Sequence, residues 1–116
     1  MSLQQIDYIS ENGRMGECID NCFEATQACE WCATECSKLG DEEMARCIQL
    51  CRDVAAVTTL HARMMARGSE FDLADACADL CEECAEECEQ FDHDHCQVCA
   101  EILRECADSC RDMASA

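Results

Sequence analysis

The sequence predicts an all-α fold, an antiparallel up-down-up-down four-helix bundle with a cysteine-lined core, and three observations carry that expectation. Fifteen of the 116 residues are cysteine, and each falls where alternating steps of three and four turn a helical residue toward a bundle interior. The chain has no proline, so nothing in it interrupts a long helix. Gly40 and Gly68 stand where such helices would stop.

Residues 1–12 read as an N-terminal extension, in which Ile6, Tyr8 and Ile9 suggest a short helical turn against the outside of the bundle. The first helix, about 14–39, carries the inward register Met15, Cys18, Cys22, Ala25, Cys29, Cys32, Cys36. It ends at Leu39-Gly40-Asp41, a glycine just past the helix followed by an acidic cap for the next one. The second, about 41–67, runs inward through Met44, Cys47, Cys51, Val54, Thr58, His61 and Met65, and stops at Arg67-Gly68. Ser69 is then the expected N-cap of the third, about 70–90, whose seam is Ala74, Cys77, Cys81, Cys84, Cys88 and Phe91. Asp92 or Asp94 can cap the fourth, about 92–114, with Cys96, Cys99, Leu103, Cys106, Cys110 and Met113 inward. Connections of a few residues join neighbouring antiparallel helices, and a chain this short with no visible linker suits a single domain over 1–116.

Twenty-six acidic residues against eight basic ones give a formal charge of −18, with Lys38 the only lysine. Such a field repels nucleic-acid phosphates and anionic membranes, which excludes both as partners, while it concentrates cations and keeps the surface solvated. The N-terminal residues show no basic segment followed by an apolar run, and no stretch is apolar enough to span a bilayer. A cytoplasmic location is therefore expected, and there thiols stay reduced. No nucleophile–base arrangement, phosphate-cradling glycine loop or βαβ-borne redox motif is present in the sequence, so it reads as a non-enzyme.

The chemistry lies in the cysteine spacing. Cys18/Cys22, Cys32/Cys36, Cys47/Cys51, Cys77/Cys81, Cys84/Cys88 and Cys106/Cys110 are C-x3-C pairs; Cys29/Cys32, Cys81/Cys84 and Cys96/Cys99 are C-x2-C. Both spacings put two sulfurs on one helix face with Cβ atoms about 5–6 Å apart, close enough for one ion to bridge them. Thiolates and thioethers select Cu(I), zinc or iron–sulfur clusters. Stacked zinc tetrathiolates each add a charge of −2 to a dry core, whereas each Cu(I) that replaces a thiol proton leaves the core charge unchanged. The clustered, loop-borne runs of iron–sulfur proteins are missing. Multiple Cu(I) ions are the favoured cargo.

Two readings without copper stand beside this one. A zinc or general soft-metal reservoir of metallothionein-like type uses the same thiols. A thiol or disulfide scaffold treats buried cysteine as a small hydrophobe, although cysteines three or four apart on one helix fit disulfide geometry poorly. With only seven leucines, five isoleucines, three valines and three phenylalanines, an empty core of this kind is thinly packed.

The inward C-x2-C and C-x3-C pairs from Cys18 to Cys110 resemble the bacterial and archaeal copper storage proteins, a family of cysteine-lined four-helix bundles that hold many Cu(I) ions. The resemblance implies Cu(I) bound mostly by two thiolates each, and uptake through one open end where histidine and methionine sit. Lacking an export signal, the chain is similar to the cytosolic members. Antiparallel topology gathers Met15, Cys18, His61, Met64, Met65, Cys77, Cys110 and Met113 at one end, which makes His61, Met65 and Met113 the expected exchangeable rim ligands beside the fifteen cysteines. His93 and His95 fall in the opposite loop and read as solvated. A copper chaperone or a low-molecular-weight thiol is the expected donor. Phe23 and Trp31, off the cysteine seam, suggest a covered outer face, most simply by a second copy in a homo-oligomer, with the segment carrying Ile6, Tyr8 and Ile9 as the alternative cover.

Overall fold

The computed structural model describes Met1 and residues 13–115, and among the described residues the regular structure is helical throughout. Four long helices follow one another: α1 Gly13–Leu39, α2 Ala45–Ala66, α3 Ala74–Cys88 and α4 Asp94–Ser115, with a 3-10 turn at Glu42–Met44 before α2. They pack as an antiparallel bundle in which α1 lies against α2 and α4, and α3 closes the square by contacting the same two helices. The expected helical turn carrying Ile6, Tyr8 and Ile9 lies outside the described residues.

The two sharp stops come from glycine. Gly40 has φ +66° and Gly68 φ +67°, a left-handed conformation that costs a residue with a Cβ and lets the chain reverse after a helix. At the first stop Asp41 accepts a 3.0 Å hydrogen bond from the Glu43 amide, which begins the 3-10 turn. At the second, the Gly68 amide reaches the Met65 carbonyl and the Ser69 amide reaches Met64.

The third helix is shorter than its sequence suggests, spanning Ala74–Cys88 rather than about 70–90. Ser69 does not cap it. Its hydroxyl accepts from the Phe71 amide two residues on, a local turn that competes with helix initiation, and Asp72 then accepts from the Ala74 amide at 2.8 Å. At the other end the Gln90 and Phe91 amides bond three residues back, to Glu87 and Cys88. The Gln97 side-chain amide donates to the Phe91 carbonyl at 2.7 Å, and the Cys96 and Gln97 backbone amides reach the His93 carbonyl, so α4 starts at Asp94.

Apolar area is scarce, and small side chains let the helices approach closely. The buried core consists of the fifteen cysteines, nine buried alanines of the seams and flanks, and few larger groups, chiefly Met44, Val54, Leu103 and Met65. Arginines tie the acidic exterior together. Arg46 on α2 bonds Glu83 and Glu87 of α3, Arg111 on α4 bonds Asp75, Asp79 and Glu82 of α3, and Arg104 pairs with Glu89. Each pair is partly solvated and contributes little alone. Together they spend scarce positive charge on α3, the helix where acidic residues crowd most closely.

Candidate metal centre

All fifteen cysteines are free thiols and all are fully buried. The seams deliver them to the axis as the three-and-four spacing requires, and antiparallel packing sets sulfur against sulfur across helices. Cys18 meets Cys110 and Cys22 meets Cys106, both at 3.7 Å; Cys29 meets Cys99 at 3.7 Å and Cys36 meets Cys96 at 3.7 Å. Between α2 and α3, Cys47 meets Cys88 at 3.6 Å and Cys51 meets Cys84 at 3.7 Å. These are thiol contacts, far longer than a disulfide bond of about 2.05 Å.

Several donor groups are tight enough to share one ion, with every ligand atom of a group within 4.8 Å of the others. At one end Cys18, Cys22, Cys110 and His61 form such a set, and Cys22, Cys77, Cys106 and Cys110 form the next. Further along lie Cys29, Cys51 and Cys84, then Cys32, Cys51, Cys88 and Cys99. Cys32, Cys36, Cys96 and His95 complete the far end.

The proton inventory follows from these contacts. Contact with Cys110, reinforced by burial, pushes the Cys18 thiol up to about 12, and burial with the neighbouring Cys32 pushes Cys36 up to about 12. Hydrogen bonds, above all from Cys47, pull Cys32 down to about 4, and those from Cys106 above all pull Cys77 down to about 3. A thiolate formed in one of these groups is thus stabilised by S–H donors that keep their own protons. Burial alone would disfavour a charged His61, but its contacts with Cys110 and Cys77 outweigh that and raise the ring to about 9. His61 Nδ1 sits 3.7 Å from both Cys22 and Cys110.

His61 is 3% exposed and Met65 9%, while Met113 is half-buried. With Met15 and Met64 they line a cavity of about 240 Å³ under the 68–74 segment. Sequence reasoning missed His95. It stands in the first turn of α4 rather than in a loop, half-buried, with Nε2 3.4 Å from Cys36 Sγ. Its ring stacks on His93 at 5.3 Å and meets the edge of Trp31 at 6.0 Å. The sequence did hold a signal: His95 lies four residues before Cys99, the same step that defines the C-x3-C pairs.

Phe23 is 48% exposed and Trp31 44%. Trp31 and Ile102 share a shallow groove with Gln27 and Ala28 on the α1–α4 face. Among the described residues no helix is long and apolar enough to cross a membrane.

Comparison with known proteins bears on this thiol-filled core. A family model described as copper storage protein matches residues 11–115. Apo copper storage protein 3 from Bacillus subtilis is 40% identical, with a TM-score of 0.79 over 85% of this chain and 97% of its own. A cytosolic copper storage protein from Streptomyces lividans, solved with five coppers, is 32% identical, with a TM-score of 0.82 over 90% of this chain and 94% of its own. A Cu(I)-bound copper storage protein, BsCsp3, is 38% identical, with a TM-score of 0.81 over 87% and 98%. No curated protein sequence matches the chain. With the family model covering nearly its full length and solved relatives 32–40% identical over the same bundle, the chain belongs to the copper storage protein family.

Proposed function

We propose that the protein stores copper as Cu(I) along its core, with the fifteen cysteines as the main ligands and His61, Met65 and Met113 as exchangeable ligands at one rim. The observation that carries this reading is the run of donor groups, each within 4.8 Å, each dominated by sulfur and buried apart from His95. A buried column of divalent ions would accumulate charge, whereas a Cu(I) ion that displaces one proton does not. Shared sulfurs such as Cys22 and Cys51, each a member of two groups, suit bridging thiolates. Thioethers hold Cu(I) more weakly than thiolates do, which suits Met65 and Met113 to passing ions inward from the 240 Å³ cavity. The donor is a copper chaperone or a small thiol, and the setting is the cytoplasm, as the Streptomyces relative is described. A second copy covers the α1 face that bears Phe23 and Trp31.

Anaerobic titration with Cu(I) against a competing chelator tests the assignment. Uptake of about one ion per thiol is expected, with proton release from the thiols that burial and their neighbours hold protonated, Cys18 and Cys36 among them. Saturation at three or four ions points instead to tetrahedral, zinc-like sites.

A further inference from the structure

The sulfur column is not continuous. Cys18, Cys22, Cys77, Cys81, Cys106 and Cys110 form one group at the His61 end, and the other nine cysteines form a second group that runs to His95. Among the described residues, every sulfur–sulfur hydrogen bond stays inside one group or the other. No donor group within 4.8 Å draws from both. On α1 the step from Cys22 to Cys29 is two helical turns, about 10 Å, and α4 has the same gap between Cys99 and Cys106. On α2 no cysteine follows Cys51.

An aliphatic layer fills that gap. The register that sets Cys22 against Cys106 and Cys29 against Cys99 sets Ala25 against Leu103, and the register of Cys47 with Cys88 and Cys51 with Cys84 sets Val54 against Cys81. Ala25, Val54 and Leu103 are fully buried. Beside them the Thr26 hydroxyl lies within hydrogen-bond distance of both Thr58 and Thr59, and each of the three reaches the carbonyl four residues back, at Cys22, Val54 and Ala55. Those oxygens are hard and already engaged, so they are poor relays for a soft cation. Cu(I) moves through a thiol core by ligand exchange, in which the next sulfur binds before the last lets go. The groups approach only along α3, where Cys81 and Cys84 sit one turn apart with no third donor shared between them.

On this basis, and resting on the copper-storage reading above, we infer that the core is two separate Cu(I) stores, one of six thiols with His61 and one of nine with His95, which load and empty independently through opposite ends. The smaller store opens on the methionine-lined cavity beside His61. The larger reaches the surface where half-buried His95 meets Cys36. Trp31, the only tryptophan, stands 6.0 Å from His95 and reports on that end alone.

The test is removal of Cu(I) from the fully loaded chain by excess bicinchoninate, followed by chelator absorbance and Trp31 fluorescence together. Two kinetic phases are expected, with amplitudes in the ratio of nine to six thiols, and fluorescence recovery should follow the larger phase only. Cys106→Ser with Cys110→Ser should shrink the smaller phase and leave the rate constant of the larger unchanged. Val54→Cys with Leu103→Cys should fuse the phases into one. Overturning results are a wild-type loss in a single phase that Trp31 tracks throughout, or serine substitutions that alter the larger phase as well. Uptake of only three or four Cu(I) ions overturns the storage reading itself, a result distinct from full uptake into one continuous column.

Discussion

Leu103→Ala tests whether the aliphatic layer is a packed structural element. Leu103 is fully buried and is one of the few large side chains in a core made mostly of cysteine and alanine. The substitution removes three carbons, a transfer loss of about 2.4 kcal/mol at about 0.8 kcal/mol for each methylene. The surrounding Ala25, Val54 and cysteine side chains are short and cannot collapse far into the space. A residual void of about 70 Å³, at about 24 cal/mol per Å³, then adds about 1.7 kcal/mol. The sum is about 4 kcal/mol, which for a domain of this size lowers the melting temperature by about 15 °C. The assay is thermal and urea unfolding of the reduced, metal-free protein, followed by circular dichroism. The wild-type apo protein should be helical, since its stops and caps use glycine, Asp41 and Asp72 and need no metal. Loading should raise the melting temperature of both proteins, because Cu(I) binds the native bundle in preference to the unfolded chain. The difference between them should persist on loading, as Leu103 offers no ligand. A loss below about 1 kcal/mol would refute the reasoning, since it would mean that the layer is loosely packed or reached by water.

The rim and the outer face give two more expectations. Replacing His61, Met65 and Met113 together by leucine should slow chelator removal of Cu(I) while leaving total capacity within about one or two ions, because the thiols remain and only the exchangeable ligands go; rates equal to wild type would mean that ions leave entirely by the His95 end. Light scattering should show self-association that strengthens with salt, which screens repulsion between subunits of charge −18, and Trp31→Ala should weaken it; a monomer at every salt concentration would remove the second copy from the α1 face.

The bundle was legible because cysteine spacing gives period and face at once. Three-and-four steps from Cys18 to Cys110 name the inward seam of every helix, and Gly40 and Gly68 mark two of the three reversals by a backbone requirement that a sequence displays openly. His61 was legible for the same reason, since it occupies a seam position on α2 and lands against Cys22 and Cys110. Competition among short polar side chains was harder to foresee. Ser69 and Asp72 both suit a helix start, and which of them initiates α3 depends on whether Ser69 turns back on the Phe71 amide, which it does.

His95 and the split column escaped for a different reason, because both depend on the register between helices and not on the period within one. Position 95 lies beside the α4 seam, and its partners Cys36 and Trp31 come from the last turns of α1. Read alone, His93-Asp94-His95 is a polar loop. Set against the end of α1, its second histidine becomes a sulfur neighbour held by two rings. Val54 and Leu103 are seam positions that carry no sulfur, each on its own helix. A gap on one helix would narrow a sulfur column without cutting it, since sulfurs from the other three could still hand an ion across. The antiparallel offset aligns Ala25 with Leu103 at the same depth where α2 has already passed its last cysteine. Three local absences then coincide in one layer, and only the α3 step from Cys81 to Cys84 remains between the two groups.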